Sequence, residues 1–119
     1  MPYINKSKKQ REIKTDKEKN RRKIYSSQLW QNMRISYLQQ HPLCEVCEME
    51  GKIKLAEHCH HLISFLDVPK ELMMQYAYDS NNFCSVCVNC HNRIHNGDLK
   101  GCVTKEQIRN KINNGKGSI

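Results

Sequence analysis

The sequence predicts a small α+β domain that a bound metal staples together. Two Cys-x-x-Cys pairs, Cys44/Cys47 and Cys87/Cys90, stand far apart in the chain with a histidine-rich stretch between them. Helix-like and strand-like segments, all short, share residues 26–113. Apolar residues make up 38% of the chain and aromatics 7%. A core that small in a 119-residue chain is commonly reinforced by disulfides or a metal.

Metal is the better reading of the cysteines. Their number, seven, is odd, and the first residues, from Met1 to Lys6, contain no apolar stretch of a secretory leader. No run approaches the ~20 apolar residues of a membrane span. The expectation is a reducing, cytoplasmic setting with metal-bound thiolates. One Cys-x-x-Cys turn lets two thiolates reach a single ion while backbone N–H groups stabilise the sulfurs. Two turns complete the tetrahedron of structural zinc and leave no open position for chemistry. Cys84 and Cys87 form an overlapping pair, a rival register to Cys87/Cys90. The second register is preferred because His91 follows it directly. Cys59, Cys84 and Cys102 are then spare.

Net charge is +8, and residues 1–25 carry +7 of it. Such an arm suits a phosphate backbone, where each neutralised phosphate releases counterions. Lys8, Lys9, Arg11, Arg21, Arg22 and Lys23 are the candidate contacts. The expected organisation is a basic flexible arm over 1–22, one domain over 23–113 and a tail over 114–119.

The elements follow in order. Ser27 is a candidate N-cap for a helix ending at Gln40, because His41 precedes Pro42 and the residue before proline avoids the α region. Leu29, Trp30, Met33, Ile35, Tyr37 and Leu38 give it an apolar side. After the Cys44–Cys47 turn, Gly51 leads into a strand over 53–56. A second strand over 59–63 completes a hairpin displaying His60 and His61. Pro69 opens a short helix to Tyr78 that buries Leu72, Met73 and Tyr76. Asp79 to Asn82 is a loop. Residues 87–95 fit a helix closed by Asn96 and Gly97. Thr104 and Gln107 are spaced as a capping box, opening a last helix through Ile108 and Ile112.

Taken together, Cys44-x-x-Cys47, Ala56-Glu57-His58-Cys59-His60-His61-Leu62, Asp79-Ser80-Asn81-Asn82-Phe83 and Cys87-Val88-Asn89-Cys90-His91-Asn92-Arg93 resemble the HNH endonuclease family. The likeness is to its small phage and prophage members with a four-cysteine zinc site, and it spans about residues 20–96. The lead-in Arg22 to Ser27 and the segment His41-Pro42-Leu43-Cys44 are also typical of that group.

The resemblance implies a ββα-metal fold of the His-Me finger type with flanking helices. It implies metal-dependent hydrolysis of double-stranded DNA, by nicking or cutting, with little sequence preference. His61 matches the general base, which suits a neutral imidazole near pH 7. His60, where many members have Asp, and His91 match ligands of a catalytic divalent ion (Mg²⁺, Mn²⁺, Ni²⁺ or Zn²⁺), with His95 one turn on as a third. Asn82 matches the middle Asn that fixes the loop. Arg93 is a candidate phosphate contact, and His58 is a bystander or phosphate contact on the face of His60. The resemblance implies a bacterial or phage-infected cell as the setting, DNA and the phage terminase as partners, and a monomer or weak dimer as the state. The alternative is a zinc-stabilised DNA-binding or terminase-associated adaptor without activity of its own.

Overall fold

The computed structural model describes residues 15–116. Helix α1, Asp16–Tyr25, opens it, capped by the Thr15 side chain, which accepts from the Glu18 N–H. Asp16 and Glu18 in its first turn and Arg22 and Lys23 in its last oppose the helix dipole favourably. Its one buried side chain, Ile24, packs with Phe65 and Ala77. The flexible arm expected over 1–22 gives way to helix from Asp16. The cap and the Ile24 anchor hold it.

Helix α2, Gln28–Gln40, begins and ends where the sequence places it, with Ser27 accepting from the Trp30 N–H and His41 as C-cap. Its buried side chains are Trp30 and Tyr37, whereas Leu29 and Ile35 are exposed. The apolar side is therefore narrower than composition indicates.

The short helix α3, Glu45–Met49, starts from Cys44 and is followed by Gly51, whose φ of 77° turns the chain in a way that favours glycine. The expected strand over 53–56 does not form. Leu55 makes a single isolated bridge to Leu43, and Ile53 and Leu55 lie in solvent. Strand β1, His58–His61, pairs instead with β2, Phe83–Val86, antiparallel, placing His60 opposite Cys84 and His61 opposite Phe83. The hairpin is thus made with a partner more than 20 residues downstream, not with its neighbour. Phe83, Cys84 and Val86 are fully buried, and a strand flanked on both faces outcompetes one facing water.

Between the strands lie a 3-10 turn, Lys70–Leu72, and helix α4, Met73–Ala77. Ala77 is buried, Met73 and Tyr76 are partly so, and Leu72 faces solvent, unlike the expectation. A 3-10 turn, Ser80–Asn82, leads into β2. Helix α5, Val88–Asn96, starts from Cys87 and stops at Gly97, where a Cβ would approach the Arg93 Cα to 2.8 Å. Helix α6, Lys105–Lys116, closes the fold with Ile108 and Ile112 buried. The Thr104 hydroxyl accepts from the Gln107 N–H, and Gln107 returns the bond to the Val103 N–H, one residue before the expected box partner.

Alternation along the two strands gives the sheet two unlike faces. Cys59, His61 and Phe83 face α2, in a cluster with Trp30 and Tyr37. His60 faces α5, as do Cys84 and Val86, which share a second cluster with Cys90 and Ile94. A buried polar knot ties the layers. The Glu45 carboxylate accepts from Tyr37 Oη at 2.7 Å, the Ser85 N–H at 2.7 Å and Lys105 Nζ at 2.7 Å. Burial alone would raise the Glu45 carboxyl, but these three bonds more than reverse it. The result is a small α+β fold with a two-stranded sheet between helices.

Candidate functional site

Two clusters of potential ligands lie on either end of the first turns of α5. The Sγ atoms of Cys44, Cys47, Cys87 and Cys90 all fall within 4.8 Å of one another, and all four residues are buried. Cys47 stands 3.9 Å from Cys87 and 3.6 Å from Cys90. A disulfide needs about 2.05 Å, whereas sulfurs each ~2.3 Å from a tetrahedral ion are separated by about 3.8 Å. Both turns have the expected knuckle geometry, with the Cys47 N–H on Cys44 Sγ and the Cys90 N–H on Cys87 Sγ, each at 3.4 Å. Burial pushes Cys47 up to about 11. At Cys87 the same burial is outweighed by hydrogen bonds from Cys90 and its neighbours, which draw it down to about 7. Four sulfurs so placed fit a tetrahedral cation, and the register is Cys87/Cys90. Cys84 is buried elsewhere, beside Ser85. Of the other two spare cysteines, Cys102 is buried with Ile108 and Ile112, and Cys59 is partly buried.

The second cluster is His60, His91 and His95, whose ring nitrogens also lie within 4.8 Å of one another. His91 and His95, four apart on α5, bring their Nε2 atoms to 3.0 Å. Two nitrogens each about 2.1 Å from one ion are separated by about 3.0–3.4 Å, so the set fits a divalent cation. Burial first, then the neighbouring histidines, hold His60 down to about 3 and His91 to about 4. Neutral imidazoles with free lone pairs are what such an ion requires. His58, on the same face of β1, stacks on His91 with ring centroids 5.0 Å apart, and remains exposed.

His61 points the opposite way. Its ring stacks on Trp30 at 4.5 Å, and Phe65 and Phe83 meet it edge-on. Its Nε2 lies 2.9 Å from the Ala77 carbonyl oxygen. A carbonyl only accepts, so Nε2 carries the proton and Nδ1 holds the lone pair. Burial lowers the His61 pKa, against the opposing pull of the Ala77 bond. Tyr25 Oη approaches Nδ1 at 3.4 Å.

Asn82 builds the frame for this arrangement. Its Nδ2 donates to the carbonyls of Ile63 at 2.8 Å and Tyr76 at 3.0 Å, and its Oδ1 accepts the Ile63 N–H at 2.8 Å. It thereby pins the exit of β1 and the residue next to Ala77. Helix α4 supplies the carbonyl that orients His61.

His58, His60, His61, His91 and His95 line one cavity of about 730 Å³, with Arg21, Tyr25, Trp30 and Arg34 also on its wall. Of the other candidate contacts, Arg22 and Lys23 are exposed on α1, and Lys8, Lys9 and Arg11 lie outside the described residues. Arg93 does not face the cavity. Its guanidinium is held by Glu50 at 2.8 and 3.1 Å and by Asp98 at 2.9 and 3.0 Å. Sequence reasoning missed Tyr25, Arg34 and the Ala77 carbonyl. The spacing Arg21/Tyr25 and Trp30/Arg34, each i and i+4, was the available signal for the first two.

The chain is similar to a solved structure, that of the HNH endonuclease of the deep-sea thermophilic bacteriophage GVE2 with manganese. The TM-score is 0.57 at 29% identity, over 65% of this chain and 79% of that one. The fold is that of the HNH endonucleases. The four-cysteine cluster is compatible with stapling such a fold. No protein-family model matches the chain, and no curated protein sequence matches it.

Proposed function

We propose that the protein is a metal-dependent endonuclease hydrolysing phosphodiester bonds of double-stranded DNA, with low sequence preference of its own. The observation that carries this is the placement of two unlike histidine sets on one cavity: the triad His60, His91 and His95, and the single base-competent His61.

His60, His91 and His95 would hold a divalent cation, which stabilises negative charge on the phosphate and on the leaving oxygen. His61 takes a proton from water at Nδ1 as the water oxygen bonds to phosphorus. The bond from phosphorus to the 3′ oxygen breaks, and that oxygen takes a proton from solvent. The products carry 5′-phosphate and 3′-hydroxyl ends. Trp30 and the Ala77 carbonyl fix the ring, so no tautomer change or ring flip precedes proton transfer. Asn82 is a positioning residue in this scheme. Cys44, Cys47, Cys87 and Cys90 would hold zinc and anchor the start of α5, and with it His91 and His95. The cytoplasm of a bacterial or phage-infected cell is the matching setting.

A fluorescent duplex incubated with protein and each of Mg²⁺, Mn²⁺, Ni²⁺ and Zn²⁺ tests the reading. Nicks that DNA ligase reseals are the expected product. Absence of cleavage with every ion, by folded protein that binds the duplex, would favour a binding module.

A further inference from the structure

The cavity wall also carries two one-turn pairs on α1 and α2, whose arginines the nuclease chemistry above does not use. On α1, Arg21 and Tyr25 are one turn apart, and the Arg21 guanidinium lies over the Tyr25 ring at 5.9 Å. On α2, Trp30 and Arg34 are one turn apart, with Trp30 beneath the His61 ring. All four line the cavity. Both helices lie outside the hairpin and α5.

Arg34 differs from Arg93. Arg93 is saturated by two carboxylates. Arg34 is only half-exposed, and its one hydrogen bond among the described residues runs from Nε to Gln31 Oε1 at 3.0 Å. Neither terminal nitrogen has a hydrogen-bond or ion-pair partner among the described residues. Of the carboxylates on the same cavity wall, Asp67 is engaged by Lys17 at 3.3 Å, and Glu57 makes no ion pair with Arg34. A permanently charged, partly desolvated fork with open N–H groups suits an oxyanion that can accept two parallel bonds.

We propose that Arg34 is a phosphate-binding residue of the cavity, taking a backbone phosphate of the DNA beside the one presented to the histidines. The proposal rests on the nuclease reading and deepens it. It separates two sources of affinity: the basic arm, which would neutralise phosphates diffusely, and Arg34, which fixes one phosphate relative to His61 and the triad. A duplex phosphate held there sets how far the strand enters the cavity, so Arg34 is a positioning residue for the cut.

The test is equilibrium binding of a short fluorescent duplex by anisotropy across a salt series, with no divalent ion added so that nothing is cleaved. Wild type, Arg34→Ala and Arg34→Lys are compared after their zinc content and melting temperature are shown to match. Arg34→Ala should lower the slope of log affinity against log salt by about one and weaken binding about tenfold at low salt. Arg34→Lys, which keeps the charge and loses the fork, should keep the slope while recovering only part of the affinity. A folded Arg34→Ala protein with unchanged slope and affinity overturns the proposal. Because the readout is binding alone, that failure is distinct from a wild-type protein that binds DNA and does not cut it.

Discussion

The carbonyl oxygen of Ala77 stands 2.9 Å from Nε2 of His61 and thereby fixes which nitrogen of that ring holds the lone pair. His61 and its neighbour His60 are consecutive in sequence yet face opposite sides of β1. The strand's period of two thus sends the adjacent His61 and His60 imidazoles into different surroundings, the aromatic cluster and the histidine cluster.

Asn82 is expected to act on the same arrangement from a distance. Asn82→Ala removes three hydrogen bonds and leaves the Ile63 N–H and two carbonyls to find water. A loss of about 3 kcal/mol in a denaturant titration follows. At a temperature where the variant is still folded, kcat should fall more than tenfold while KM for duplex stays within about threefold. Wild-type kcat in the folded variant would mean that Ala77 is held without it.

The four-cysteine cluster is expected to be indispensable to stability. Cys87→Ser should lower zinc content below the wild-type stoichiometry and lower the melting temperature by 10 °C or more, an effect of roughly 2 kcal/mol or larger for a domain of this size. Elemental analysis together with a thermal melt decides it. Full zinc occupancy in the variant would contradict the ligand set.

His95 is the outermost of the three clustered imidazoles. Its removal should weaken ion binding without removing the site. His95→Ala should raise the half-saturating metal concentration for cleavage by about tenfold or more while leaving duplex affinity in place. An unchanged metal requirement would reduce the ligand set to His60 and His91.

The basic arm gives a separate expectation. Replacing Lys8, Lys9 and Arg11 together by Ala should reduce the salt slope of duplex binding by about three without changing the melting temperature. An unaltered slope would remove those residues from DNA contact.

Much of this was legible in the chain because it depends on local spacing. Ser27 and His41 bound α2 through capping and the following proline, and Cys87 to His95 reads as one helix carrying both ligand types. The residues singled out by the two Cys-x-x-Cys turns and by the family resemblance lie in two clusters, and Asn82 bonds the Ile63 carbonyl. What was not legible is long-range. β1 has to choose a partner, and the buried Phe83–Val86 segment wins over the exposed 53–56 stretch because it is covered on both faces. The short helix at 73–77 looks dispensable until its last carbonyl meets His61. Arg93 sits at a motif position, yet Glu50 and Asp98 claim it, one of them more than 40 residues away.

The most direct measurement is conversion of supercoiled plasmid by metal-stripped protein with divalent ions added back, beside His61→Ala, with duplex affinity measured for both. The account predicts open-circle or linear product from wild type only, with His61→Ala still binding duplex. Cleavage by the folded His61→Ala protein at the wild-type rate would contradict it.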